Sequence, residues 1–174
     1  MASADKAARL RLMAFDVDGV LTDGTLFFSA AGDEMKGFSS LDGHGLKMLS
    51  TSGTTLAIIT GRRSAAVAKR AENLGIDLLF QGIEDKRAVF RELCGRLGID
   101  PAEAGYMGDD VVDLPVLRAA GFAATVPDGH ALVRRHADYV ARAAAGRGAV
   151  REVCEFILAA QGRLEAALAP WLEP

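Results

Sequence analysis

Asp16-Val17-Asp18-Gly19 places two carboxylates two residues apart, directly after the apolar run Leu12-Met-Ala-Phe15. Such a pair can bind a hard cation and do nucleophilic and acid–base work. A calcium loop of EF-hand type starting at Asp16 would need glycine at its sixth position and glutamate at its twelfth. Those positions hold Leu21 and Phe27, which excludes it. Two charges at the end of an apolar strand are costly unless something binds them. Three further groups have matching chemistry. Thr60-Gly61-Arg62 offers a hydroxyl, backbone donors and a cation; Lys86 offers an ammonium; Asp109-Asp110, with Asp113 one helical turn on, offers more carboxylates. Together they suit phosphoryl transfer. Asp16 would attack phosphorus and form an acyl phosphate, and Asp18 would protonate the leaving alkoxide and later deprotonate water. Thr60 and Lys86 would hold the phosphoryl oxygens. Magnesium suits such an oxygen site. The chain has no G-x-x-x-x-G-K-[ST] loop, which argues against a Walker-type nucleotide site.

These residues need a frame that brings distant strand ends together. Apolar runs at 12–16, 55–60, 77–80, 104–108 and 121–125 read as strands. Helical patterns lie between them at about 44–52, 63–74, 84–97, 111–120 and 128–136, with a last helix from about 149 into the 160s. Asp100-Pro101-Ala-Glu103 has the form of a capping box with proline at the first helical position. The alternation predicts an α/β fold, a Rossmann-like parallel sheet covered on both faces. With strand order 3-2-1-4-5, Asp16, Thr60 and Asp109 converge at the switch point. One segment breaks the alternation: 25–29 and 34–38 flank Ala30-Ala-Gly-Asp33, and an inserted β-hairpin is predicted over about 25–38. It carries Phe27, Phe28 and Phe38, three of eight phenylalanines, and either folds back on its own domain or contacts another protomer.

Composition narrows the partners. Twenty basic residues against 23 acidic ones leave a formal charge of −3, which exerts no general pull on nucleic acid or an anionic membrane. No apolar run approaches the roughly 20 residues of a membrane span. The first ten residues lack a signal-peptide core. Cys94 and Cys154 lack zinc-site spacing and read as buried, reduced thiols, which points to the cytoplasm. Without linker or repeat, residues 1–174 read as one domain with a C-terminal tail from about 146 to 174.

Asp16-Val-Asp-Gly-Val-Leu-Thr-Asp-Gly24, Thr60, Lys86 and Gly108-Asp-Asp110 resemble, in order and spacing, the four motifs of the haloacid dehalogenase superfamily. The resemblance implies Asp16 as nucleophile and Asp18 as acid and base. It implies Asp16, the backbone carbonyl of Asp18, and Asp109 as magnesium ligands, with Asp110 and Asp113 supporting them. The gaps between motifs leave no room for a cap domain. Residues 10–162 further resemble the capless phosphatases of 3-deoxy-D-manno-octulosonate 8-phosphate, an intermediate of lipopolysaccharide synthesis. The signals are Asp42-Gly-His-Gly45, Ile59-Thr-Gly-Arg62 and Gly146-Arg-Gly-Ala-Val-Arg-Glu-Val-Cys154.

That second resemblance implies a homotetramer held through the hairpin, and a C-terminal segment near a neighbour's active site. It implies substrate contacts from Asp18, Ser39, Ser40, Leu41, Asp42, Gly43, Lys47, Gly61, Arg62, Arg70 and Lys86. Arg62 and Arg70, about two helical turns apart, would face one anion. The glycine-flanked Arg147 would lie on a mobile flap that helps hold the sugar phosphate. Leu41 and Lys47 stand where the family commonly has arginine, and Ala145 where it has glycine. Two other readings stay open: a phosphatase of a related nine-carbon keto-sugar 9-phosphate, and a non-catalytic oligomerisation module.

Overall fold

Strand β1 (Leu12–Phe15) is buried at all four positions, as a central strand covered on both faces must be. In the computed structural model, which describes residues 2–172, it pairs in parallel with β4 (Thr55–Thr60) on one side and β6 (Ala104–Met107) on the other. Strands β5 (Leu78–Gln81), β7 (Phe122–Thr125) and β8 (Tyr139–Val140) complete a six-stranded sheet in the order β5-β4-β1-β6-β7-β8. All its pairings are parallel. The predicted order of five strands is therefore present. A sixth, β8, was not anticipated; at two residues it is too short for periodicity to mark it.

Residues of β1 alternate between two cores. Met13 and Phe15 join the layer formed by α1 (Ser3–Ala8), α2 (Ser40–Thr51), α3 (Ala65–Leu74) and α7 (Ala149–Ala160). Leu12 and Ala14 face α4 (Lys86–Leu97), α5 (Leu114–Leu117) and α6 (Ala131–His136). Cys94 and Cys154 are buried and free, one in each layer.

Helix boundaries moved for local reasons. Helix α2 begins four residues earlier than expected, because Ser39 caps it by accepting from the Asp42 amide; the glycines at 43 and 45 hid that first turn. The segment 111–120 forms only a 3₁₀ turn, Val111–Asp113, followed by α5. At Asp100 the carboxylate accepts from the Ala102 amide as a cap should, yet Pro101–Glu103 makes a single 3₁₀ turn and runs straight into β6. After α7 the chain forms α8 (Leu164–Leu168), a helix the sequence did not signal, and a 3₁₀ turn ending at Trp171, whose indole meets His44 edge-on. The last two positions of the expected 146–174 tail lie outside the described residues.

The hairpin is present but pairs only briefly, through β2 (Phe27–Phe28) and β3 (Glu34–Met35), with Phe27 opposite Met35 and Phe28 opposite Glu34. It forms its own two-stranded sheet. Phe27 and Met35 stay 50% and 64% exposed, whereas Phe38 packs against the main core.

Candidate active site

The strands that flank β1 deliver chemistry at their ends: β4 closes on Thr60, and Asp109 follows β6 by two residues. Phe15 is in register with Ile58 and with Met107, so Asp16 leaves the sheet beside the ends of β4 and β6. The Asp16 amide still donates to the Met107 carbonyl at 2.9 Å, which fixes its main chain. A cleft of ≈ 490 Å³ opens here, lined by Asp16, Asp18, Thr60, Gly61, Arg62, Lys86, Asp109 and Asp110, with Ile83, Glu84 and Val112.

Lys86 opens α4 and sends its ammonium inward. Nζ donates to Asp16 Oδ2 and to Asp113 Oδ1, each at 2.7 Å, with all three side chains nearly inaccessible. The other Asp16 oxygen accepts from the Val17 amide at 2.7 Å. Asp113 is fully bonded: Oδ1 also accepts from the Tyr106 hydroxyl at 3.1 Å, and Oδ2 accepts from the amides of Asp109 and Asp110 at 3.1 and 3.3 Å. Tyr106 and Asp113 thus lock both Lys86 and the loop after β6. The Asp109 carbonyl is tied down by the His130 amide at 2.8 Å. Gly19 is essential to this packing: its φ is +85°, and a Cβ there would lie 2.3 Å from Asp109 Oδ2.

Electrostatics mark the cluster as unfinished without a cation. Carboxylate oxygens of Asp16, Asp109 and Asp113 lie within 4.8 Å of one another. Burial first, then the Asp113 charge, lifts Asp16 to about 6 despite Lys86. Burial, then the charges of Asp16, Asp113 and Asp110, lifts Asp109 to about 7. Burial pulls Lys86 down, but Asp16 and Asp113 together outweigh it and leave the amine above its ordinary value. A hard divalent cation suits this set of oxygens, since it would offset the repulsion that raises both carboxyls.

The other expected site residues divide into groups. Asp18, Gly61 and Arg62 share the Asp16 cleft, and Thr60, 2% exposed, closes β4 at its edge. Asp110 turns its carboxylate onto the Val111 amide at 2.7 Å. Ser39, Ser40, Leu41 and Arg147 line a separate cleft of ≈ 490 Å³ with Asp23, Gly37, Phe38 and Gly146. Arg147 there lies 3.7 Å from Asp23. Its flanking glycines form a close-packed turn: a Cβ on Gly146 would sit 2.6 Å from Asp23 N.

Asp42, Gly43 and Arg70 make contacts that tie α2, α3 and α7 together. The buried Asp42 carboxylate accepts from the amides of Gly148 and Arg151, pinning the start of α7. Arg70 donates to the Ser39 carbonyl at 2.9 Å, and a Cβ on Gly43 would strike its guanidinium. Lys47 lines a third cleft, with His44 and Trp171. Arg62 lines the Asp16 cleft while Arg70 reaches the Ser39 carbonyl, and because α3 begins at Ala65 no continuous helix relates the two.

Sequence reasoning missed Tyr106, whose hydroxyl is invisible inside an apolar run, and Lys36 and Glu34 of the hairpin. Lys36 pairs with Asp18, and Glu34 with Lys36 and Arg62, each of the latter two at 3.1 Å. The alternation Glu34-Met35-Lys36 places both charges on one face, the only hint the sequence holds.

Comparison with known proteins matches this geometry. Residues 28–121 fit the model of the haloacid dehalogenase-like hydrolase family. The 3-deoxy-D-manno-octulosonate 8-phosphate phosphatase KdsC of Escherichia coli strain K12 is 46% identical over 162 residues, 93% of this chain and 86% of that protein. The crystal structure of 3-deoxy-D-manno-octulosonate 8-phosphate phosphatase from Moraxella catarrhalis, in complex with magnesium ion, phosphate ion and KDO, superposes with a TM-score of 0.95 at 45% identity, covering 97% of each chain. The cobalt-bound form of the deoxy-D-mannose-octulosonate 8-phosphate phosphatase from Haemophilus influenzae superposes at 0.89, with 37% identity over 92% of this chain and 94% of that one.

Proposed function

The chain belongs to the haloacid dehalogenase-like hydrolases and, within them, to the family of 3-deoxy-D-manno-octulosonate 8-phosphate phosphatases, and on that premise we propose that it hydrolyses this sugar phosphate to the free sugar acid and phosphate, with magnesium as cofactor. The step serves lipopolysaccharide precursor synthesis. The observation that carries the reading is the Asp16–Lys86–Asp113 cluster, facing Asp109 in a cleft at the sheet's switch point.

Asp16, the backbone carbonyl of Asp18, and Asp109 would hold the magnesium ion, which supplies neutralisation of phosphoryl charge. A carboxylate oxygen of Asp16 attacks phosphorus, and the bond from phosphorus to the sugar oxygen breaks. Asp18 gives its proton to that departing oxygen. Water then attacks the acyl phosphate, Asp18 takes the water's proton, and Asp16 is released. Lys86 keeps Asp16 ionised and aimed, and Thr60 and Gly61 stand where phosphoryl oxygens need donors. Phosphate release from a panel of keto-sugar phosphates, with and without magnesium, tests this. Preference for a nine-carbon 9-phosphate, or turnover without any divalent cation, would contradict it.

We read the protein as one capless domain, assembled as a homotetramer through the hairpin. Support comes from Phe27, Phe28 and Met35, which stay at least half exposed on a two-stranded element too small to bury them. A closed ring of hairpins would cover those side chains. A stable monomer at micromolar concentration in sedimentation would rule this out. Cytoplasmic residence goes with the two free, buried thiols, and fractionation of cells would check it.

A further inference from the structure

Lys36 is a cation without an obvious reason to be where it is. Its side chain is wholly screened from solvent, a costly position for an ammonium. Its partners are Asp18 Oδ1 and, at 3.1 Å, Glu34. The second Asp18 oxygen lies 3.8 Å from Arg62 Nε. Both oxygens of Asp18 are therefore held by cations, one from the hairpin and one from the loop after β4.

The hairpin's pleat explains the delivery. Residues directly opposite in an antiparallel pair share a face, and i and i+2 share a face along one strand. Phe28 and Glu34 are opposite partners, and Lys36 follows Glu34 by two, one residue past the end of β3. Glu34 and Lys36 reach two residues of the cleft wall: Glu34 meets Arg62 at 3.1 Å and Lys36 meets Asp18, while the Arg62 guanidinium lies 6.0 Å from the centre of the still exposed Phe28 ring. Phe27 and Met35 share the opposite face and point to solvent. The hairpin thus leaves Phe27, Phe28 and Met35 at least half exposed and sends the charges of Glu34 and Lys36 to Arg62 and Asp18.

We propose that Lys36 is a positioning residue for proton transfer, fixing the orientation of the Asp18 carboxyl toward the ester oxygen that leaves. The inference rests on the assignment of Asp18 as acid and base. Without Lys36, Asp18 keeps only the longer contact to Arg62, so its carboxyl loses its closest anchor and the loss falls on the step that needs a well-placed proton. Sugar and other alkyl phosphates have poor leaving groups and need that proton; nitrophenyl phosphate has a good one and needs it little.

The test compares kcat/KM of wild type and Lys36→Met on three esters: the octulosonate 8-phosphate, glycerol 3-phosphate and p-nitrophenyl phosphate. Methionine fills the methylene space without the charge. The expected result is a loss of about tenfold or more on both alkyl esters and of less than about threefold on the aryl ester. Comparing esters within one preparation cancels any unfolded fraction. An equal loss on all three would make Lys36 a phosphate contact or a structural tether. A loss on the octulosonate ester alone would make it a sugar contact. No loss would make it a bystander. Each of these overturns the proposal. Wild-type inactivity on the octulosonate ester, with activity on the simple ones, would instead strike the substrate assignment and leave the alkyl-to-aryl comparison readable.

Discussion

Asp113 Oδ1 sits 2.7 Å from Lys86 Nζ, and neither side chain has meaningful contact with solvent. Their pairing holds the ammonium that in turn reaches Asp16. Removing the carboxylate leaves the buried ammonium with Asp16 alone and the Tyr106 hydroxyl with the Ile59 carbonyl, and takes the acceptor from the amides of Asp109 and Asp110. Asp113→Ala should therefore cost about 3 kcal/mol, a Tm drop of about 6–12 °C, besides most of the activity. Thermal unfolding checks this; a Tm within 2 °C of wild type, a bound of about 1 kcal/mol, would refute it.

Gly19→Ala should damage the metal site while sparing the core. The added methyl would occupy space now held by the Asp109 carboxylate, at a backbone angle that alanine resists. We expect the magnesium concentration for half activation to rise about 10- to 100-fold, since Asp109 must swing away from its place. Titration of activity with magnesium reads this out, and an unchanged half-activation point would show that Asp109 does not bind the cation.

Metal-free protein should lose stability as pH rises from 4 to 8, opposite to the usual behaviour of paired carboxylates. Asp16 and Asp109 titrate near 6 and 7 when folded, against 3.8 as the ordinary value. Between those limits the folded state holds protons that the unfolded state has released, so the slope of stability with pH is negative. Above pH 7 the full penalty applies; below 3.8 it vanishes. Magnesium displaces those protons, so its stabilising shift in Tm should be small at pH 5 and largest near pH 8. Scanning calorimetry with and without the ion would reveal an equal shift at both pH values if this account were mistaken.

Asp16→Asn should leave the sheet intact and reduce turnover by about 10³-fold or more, because an amide cannot attack phosphorus. Trapping a phosphoryl or fluoroberyllate group on any residue other than Asp16 of the wild-type protein would assign the nucleophile elsewhere.

The main parts of this site were legible because they lie where strands stop. Runs such as Thr55–Thr60 are long and β-branched, so Asp16, Thr60 and Asp109 could be placed at one edge from periodicity and strand order. Groups fixed by tertiary packing were not. The partners of Asp42 and Arg70, the amides of 148 and 151 and the carbonyl of 39, come from other elements and could not be read from the chain. Lys36 reads as an ordinary hairpin lysine until the hairpin is folded over Asp18. The short β8 has too few residues to announce itself.

The register of β1 also constrains synthesis. Lys86 and Asp16 are separated by 70 residues and Lys86 and Asp113 by 27, while β6, the neighbour of β1 on its far side, follows β4 in the chain. A chain synthesised through β1, β4 and β5 still lacks Lys86, Asp109 and Asp113. Closing such distant segments is slow and comes only with the whole sheet. The cluster is thus assembled from residues on both sides of β1 and is incomplete until the chain has passed Asp113.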